Sequence, residues 1–82
     1  MNQLELFFEE WVVCLIAKDG IRTETLLVSA PRREELHAEE HAVVKAMCKR
    51  LPVSFWDLKR SFAHPATLPP GEWAEIRAKS SS

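Results

Sequence analysis

From Trp11 the apolar and β-branched residues crowd together as Trp11-Val12-Val13-Cys14-Leu15-Ile16, and a second such run passes through Thr23, Thr25, Leu26, Leu27 and Val28. Side chains of this kind suit a pleated strand, because branching at Cβ restricts χ1 against a helical turn. Asp19-Gly20 lies between the runs and tolerates the positive φ angles of a type I′ turn. The pattern predicts a β-hairpin over residues 11–30. With Asp19-Gly20 as a two-residue loop, Ala17 faces Arg22, Leu15 faces Glu24 and Val13 faces Leu26. A rival reading is one helix over 3–18, with Leu4, Phe7, Phe8, Trp11 and Leu15 at helical spacing. It leaves Leu6, Val13 and Ile16 off the apolar stripe and must absorb the poor helix formers Val12-Val13.

Downstream the period changes. Ser29-Ala30-Pro31 offers a capping residue and a proline where a helix begins, and Glu34 and Glu35 suit the positive end of its dipole. Lys45, Lys49 and Arg50 suit the other end, and Pro52 stops it. Leu36, Val43, Val44, Met47, Cys48 and Leu51 then form one apolar arc on a long helix over 31–51. Ser54-Phe55-Trp56-Asp57 has the form of a capping box, which predicts a short helix with Phe55, Leu58 and Phe62 on one face. A turn-rich connector runs from His64-Pro65 to Pro69-Pro70-Gly71. A last helix over 72–79 directs Trp73 and Ile76 inward, and 80–82 reads as a frayed, disordered tail. The fold class expected is α+β: a hairpin packed on one long helix, followed by short C-terminal helices, in one small domain over 1–79.

That arrangement raises a burial problem. In the expected register one hairpin face presents Trp11, Val13, Leu15, Leu26 and Val28, and the other Val12, Cys14, Ile16, Ile21, Thr23, Thr25 and Leu27. Both faces read as largely apolar, and each large apolar side chain left wet forfeits about 1.5–3 kcal/mol. A single helix covers one side. The other needs the Phe55–Trp73 segment, the stretch around Leu4 to Phe8, or a second molecule. A docking surface built on Trp11, Val13, Leu15, Leu26, Val28 and Trp56 is one outcome, serving either a protein partner or a homodimer.

Composition narrows the classes. The 82 residues are 46% apolar and 28% charged, an ordinary balance for a soluble globular chain. No apolar run reaches the roughly 18 residues that span a bilayer. Residues 1–10 contain no basic side chain and three glutamates, unlike a secretory or transit signal, so a cytoplasmic location is expected. Two distant cysteines, Cys14 and Cys48, provide neither a disulfide framework nor a zinc ribbon. The near-neutral total hides an asymmetry. Lys18 stands against Glu5, Glu9, Glu10 and Asp19 in residues 1–20, whereas Lys45, Lys49, Arg50, Lys59 and Arg60 stand against Asp57 in residues 45–64. A basic second half suits an acidic partner or a phosphate backbone.

Two strings carry candidate chemistry. His37-Ala38-Glu39-Glu40-His41 sets two histidines one helical turn apart with a glutamate beside them, and it resembles the H-x-x-E-H motif of the inverted zinc metallopeptidases. The resemblance covers five residues, without the further acidic ligand or the large domain of that family. A structural zinc site on His37, His41 and Cys48, completed by Cys14, is the metal reading. Glu40 points near the middle of the apolar arc, so it needs a partner such as Arg33 or His37, or an exposed edge. The second string runs from Cys48 to Arg60 and resembles the turn and second helix of helix-turn-helix DNA-binding proteins. Cys48, Leu51, Val53, Ser54 and Leu58 fit that pattern, and Lys59, Arg60 and Ser61 would be DNA contacts, joined by Lys45, Lys49 and Arg50. Its turn glycine is Pro52 here, and Phe55 and Trp56 stand where polar base-reading residues usually sit.

With only Gly20 and Gly71 the chain has no phosphate-binding glycine loop, and it has no GxSxG elbow. No enzyme, cofactor, membrane or small-molecule substrate is expected. The reading that remains is a non-enzymatic protein-binding module, rich in Trp and Phe, with helix-turn-helix-like nucleic-acid binding as its alternative. By size and style alone, it is comparable to phage and mobile-element accessory proteins that occlude a host factor, inhibitors of restriction or CRISPR systems among them.

Overall fold

The computed structural model describes residues 8–33 and 36–81. Strand β1 (Phe8–Ile16) and strand β2 (Thr23–Pro31) form the hairpin, helix α1 (Leu36–Met47) follows, and strand β3 (Phe62–Pro65) and helix α2 (Pro70–Ser81) complete the order. The sheet is three-stranded and antiparallel, in the order β2-β1-β3. Both helices belong to one face of a small α+β architecture.

The hairpin register agrees with the sequence reading. Leu15 opposes Glu24 and Val13 opposes Leu26, and the Ala17 N–H donates to the Arg22 carbonyl at 2.8 Å. The turn differs in detail. A type I′ loop needs positive φ at both central residues, but Gly20 alone has it, at 73°. Asp19 keeps an ordinary φ, and its carboxylate accepts from the Ile21 and Arg22 N–H groups at 2.8 and 3.1 Å. These two backbone donors hold the Asp19 carboxyl below its usual range.

Pro31 closes β2 instead of opening a helix. The reason is that β1 begins at Phe8, so Glu9 and Glu10 find partners in Ala30 and Ser29, and Phe8 finds Pro31. A proline is tolerated there because β2 is an edge strand and Pro31 is its last residue. The expected long helix over 31–51 is therefore shorter, an α-helix over Leu36–Met47 with a 3₁₀ turn over Cys48–Arg50. Glu34 and Glu35 lie outside the described residues, as do residues 1–7 and Ser82. The rival helix over 3–18 is overturned by β1. Residues 80 and 81, expected in a tail, belong to α2.

The segment after Pro52 departs most from expectation. No capping-box helix forms at Ser54. A 3₁₀ turn over Val53–Phe55 leads instead to an isolated bridge between Trp56 and Ala17. The end of β1 recruits this segment, because the Ile16 carbonyl accepts from the Asp57 N–H at 2.8 Å and the Ile16 N–H donates to Ser61 Oγ at 3.0 Å. Asp57 turns the chain, taking the Lys59 N–H on its carboxylate and the Ser61 hydroxyl on its carbonyl. Phe62 to Pro65 can then add a third strand.

Trp11, Val13, Leu15 and Ala17 lie on the inner face of the sheet, almost fully buried with Val43, Val44, Met47, Cys48, Trp56, Ala63 and Trp73. Trp11 and Trp73 meet edge to face, with ring centroids 5.3 Å apart. Trp73 and Ile76 point inward as the spacing of α2 requires. Leu51 leaves the expected arc because the chain is extended there, and it is 38% exposed.

Candidate functional site

The six residues expected to face a partner are placed largely in the core. Trp11, Val13, Leu15 and Trp56 are buried, and Leu26 and Val28 are partly buried against them. The five hairpin residues are held by α1, α2 and the segment around Trp56, so the hairpin face they share is an interior face. The opposite face is the open one. Its rows follow from register: Phe8 beside Pro31, Glu10 beside Ser29, Val12 between His64 and Leu27, and Cys14 between Phe62 and Thr25. Among the described residues no helix covers it. Leu27 is 61% exposed, Phe62 43% and Phe8 41%, whereas Val12, Cys14 and Ile16 are half-buried.

The demand for a cover is weaker than the sequence pattern implied. On β2 the open face consists of Thr23, Thr25, Leu27, Ser29 and Pro31, which leaves Leu27 as its one large apolar side chain. Hydroxyl side chains are readily hydrated, so this face of the strand is tolerated wet. Alternation along β1 pointed to Val12, Cys14 and Ile16 as one face. Only the addition of β3 brought Phe62 into line with them.

A cleft of about 310 Å³ is lined by His37, Glu40, His41, Val44, Leu58 and Ser61. Its carboxylate and hydroxyl are already engaged. Glu40 accepts from Arg77 Nη1 at 2.8 and 2.7 Å and from the Trp73 indole N–H at 3.2 Å, so its partner is α2 and not Arg33 or His37. Arg33 instead lies 3.3 Å from the Glu9 carboxylate. Ser61 Oγ is occupied by the Ile16 N–H and the Asp57 carbonyl. His37 and His41 stay exposed at the rim.

The ligand set proposed for zinc is divided. Cys48 is in the core and Cys14 on the open sheet face. Desolvation pushes the Cys48 thiol up, which disfavours the thiolate that binds metals. Among the described residues no three His, Cys, Asp or Glu side chains converge on a metal position. The helix-turn-helix residues fare similarly. Lys45, Lys49, Arg50, Lys59 and Arg60 are exposed, but Ser61 is buried and the tract from Val53 to Arg60 contains no recognition helix. Arg60 leans over the hairpin turn, its Nη1 3.2 Å from where a Cβ would stand at Gly20.

No helix among the described residues is long and apolar enough to cross a membrane. No protein-family model matches the chain, and no curated protein or solved structure matches it significantly.

Proposed function

We propose that this chain is a non-enzymatic protein-binding module that docks through its open sheet face and the adjoining edge of β2. The observation that carries this reading is that Leu27 and Phe62, each more than two-fifths exposed, flank half-buried Val12, Cys14 and Ile16 on one side of a sheet, with exposed Phe8 beyond the polar Glu10–Ser29 row. Apolar side chains gathered on one surface gain from burial against a partner, and Phe is favoured at interface cores. The inner face is engaged in the core, and Glu40 and Ser61 of the His37–His41 cleft are engaged in holding α2 and β1.

The test compares the native chain with a Leu27→Asp/Phe62→Asp variant, both immobilised and exposed to extract from the native cell. The two substitutions are on the open face, so circular dichroism and the unfolding midpoint should change little. A protein retained by the native chain and lost by the variant supports the reading. Identical captured sets from two folded proteins refute it.

The alternative, phosphate binding by Lys45, Lys49, Arg50, Lys59 and Arg60, keeps its exposed cations without a helix to enter a groove. Binding to unrelated duplexes that falls steeply with salt would favour it, and no binding at low salt would remove it.

A further inference from the structure

The register determines which backbone groups of β2 face outward. On β1 the Glu10 carbonyl accepts from Ala66, and Ile16 bonds to Asp57 and Ser61, so residues 10 and 16 turn their peptide groups toward the β3 side. Ala17 turns the other way, to Arg22. An antiparallel ladder alternates in steps of two, so Glu24, Leu26, Val28 and Ala30 bond to β1. Thr23, Thr25, Leu27 and Ser29 therefore point both N–H and C=O along the outer edge of the sheet, which no other strand among the described residues pairs.

Edges of this kind are usually guarded by lysine, a bulge, an internal proline or a covering helix. Strand β2 has no lysine, and its proline is at its last position. Glu24 is its one charged side chain.

We infer that the occupant of this edge is the same edge of a second copy of the chain, paired antiparallel about an axis beside Leu26. This rests on the docking reading above and names its partner. In that register Thr23 pairs with the partner's Ser29 and Thr25 with the partner's Leu27, so the four outward-facing residues satisfy one another with no donor left over. Pro31, which has no N–H to give, falls outside the ladder. Glu24 lies beside the partner's Val28, so like charges never oppose. Leu27 gains a neighbour on its wet side, and the row of His64, Val12 and Leu27 continues into the second sheet. The strand is self-complementary in this register: its four outward-facing peptide groups, its terminal proline and its one carboxylate all meet compatible positions in a second copy.

Sedimentation equilibrium over a range of concentrations tests the inference. The native chain should approach twice 9.4 kDa, and Thr25→Pro should sediment as a monomer with unchanged far-ultraviolet circular dichroism. Residue 25 directs its N–H outward, so proline there removes an edge donor without touching the β1 ladder. If Thr25→Pro unfolds, Thr25→Lys/Leu27→Lys replaces it. That variant keeps every N–H and sets lysines opposite each other at both 25/27 pairs, and it too should be monomeric. Amide exchange should show Thr23, Thr25, Leu27 and Ser29 slowed in the native dimer and fast in the variant. A native chain that is monomeric at every concentration overturns the inference, and so does a dimer that persists in a folded edge variant. Either result leaves the docking reading to the Leu27→Asp/Phe62→Asp comparison, which fails or succeeds separately.

Discussion

Glu40 connects the two helices, and its removal should be costly in a calculable way. Its carboxylate accepts three hydrogen bonds from α2, two from Arg77 Nη1 and one from the Trp73 indole. Hydrogen bonds to a charged group contribute about 1.5–3 kcal/mol, and a neutral indole donor about 1 kcal/mol. The Arg77 side chain is 35% exposed, so solvent screening moves the ionic part to the lower end. Alanine returns a few tenths of a kcal/mol in helix propensity. Glu40→Ala should therefore lose roughly 2 kcal/mol, which for a domain of this size lowers Tm by about 8–16 °C.

Urea unfolding followed by tryptophan fluorescence is a suitable assay, because Trp73 packs edge-on against Trp11. Glu40→Gln keeps an acceptor for the indole and should lose about half as much. A double-mutant cycle with Arg77→Ala should show coupling of about 1 kcal/mol. A Glu40→Ala protein within about 0.5 kcal/mol of the native chain, the range of ordinary surface substitutions, would refute the docking of α2 through this carboxylate.

Four further outcomes follow from the same structure. Gly20→Ala should cost about 1 kcal/mol by thermal unfolding, because φ is 73° there; the Arg60 guanidinium 3.2 Å from the new Cβ is the end of a flexible side chain and can move. Ser61→Ala should cost about 1–2 kcal/mol in urea, since it takes the acceptor from the Ile16 N–H, and the loss should be one of stability and not of nucleic-acid affinity. A thiol reagent should modify half-buried Cys14 in the native chain and reach buried Cys48 only on unfolding. Because burial raises the folded Cys48 pKa above its ordinary value of 9.0, the folded state holds that proton longer, so stability falls as pH rises past 9.0. In Cys48→Ala that alkaline decline should be shallower.

The amino-acid sequence alone determined what depends on near neighbours. Asp19-Gly20 between two β-branched runs set the hairpin and its pairing, because a turn and a period of two leave few registers that keep large apolar residues together. The spacing of Trp73 and Ile76 set the inward side of the last helix, and the run Val43, Val44, Met47, Cys48 set the buried stripe of the first.

The tertiary structure decided everything that needed a distant partner. Phe62-Ala63-His64-Pro65 has little strand character alone; it becomes a strand because β1 presents unpaired peptide groups on that side and Asp57 and Ser61 anchor the approach. Glu40 found Arg77, thirty-seven positions away, as no local pattern could specify. The choice of inner face was likewise not local. Either side of the ribbon offered apolar groups, and the side with Trp11 became the interior because two helices and Trp56 close over it. Burial is a property of the assembled surfaces, so the residues singled out as a docking face became the core, and the face left to solvent became the candidate site.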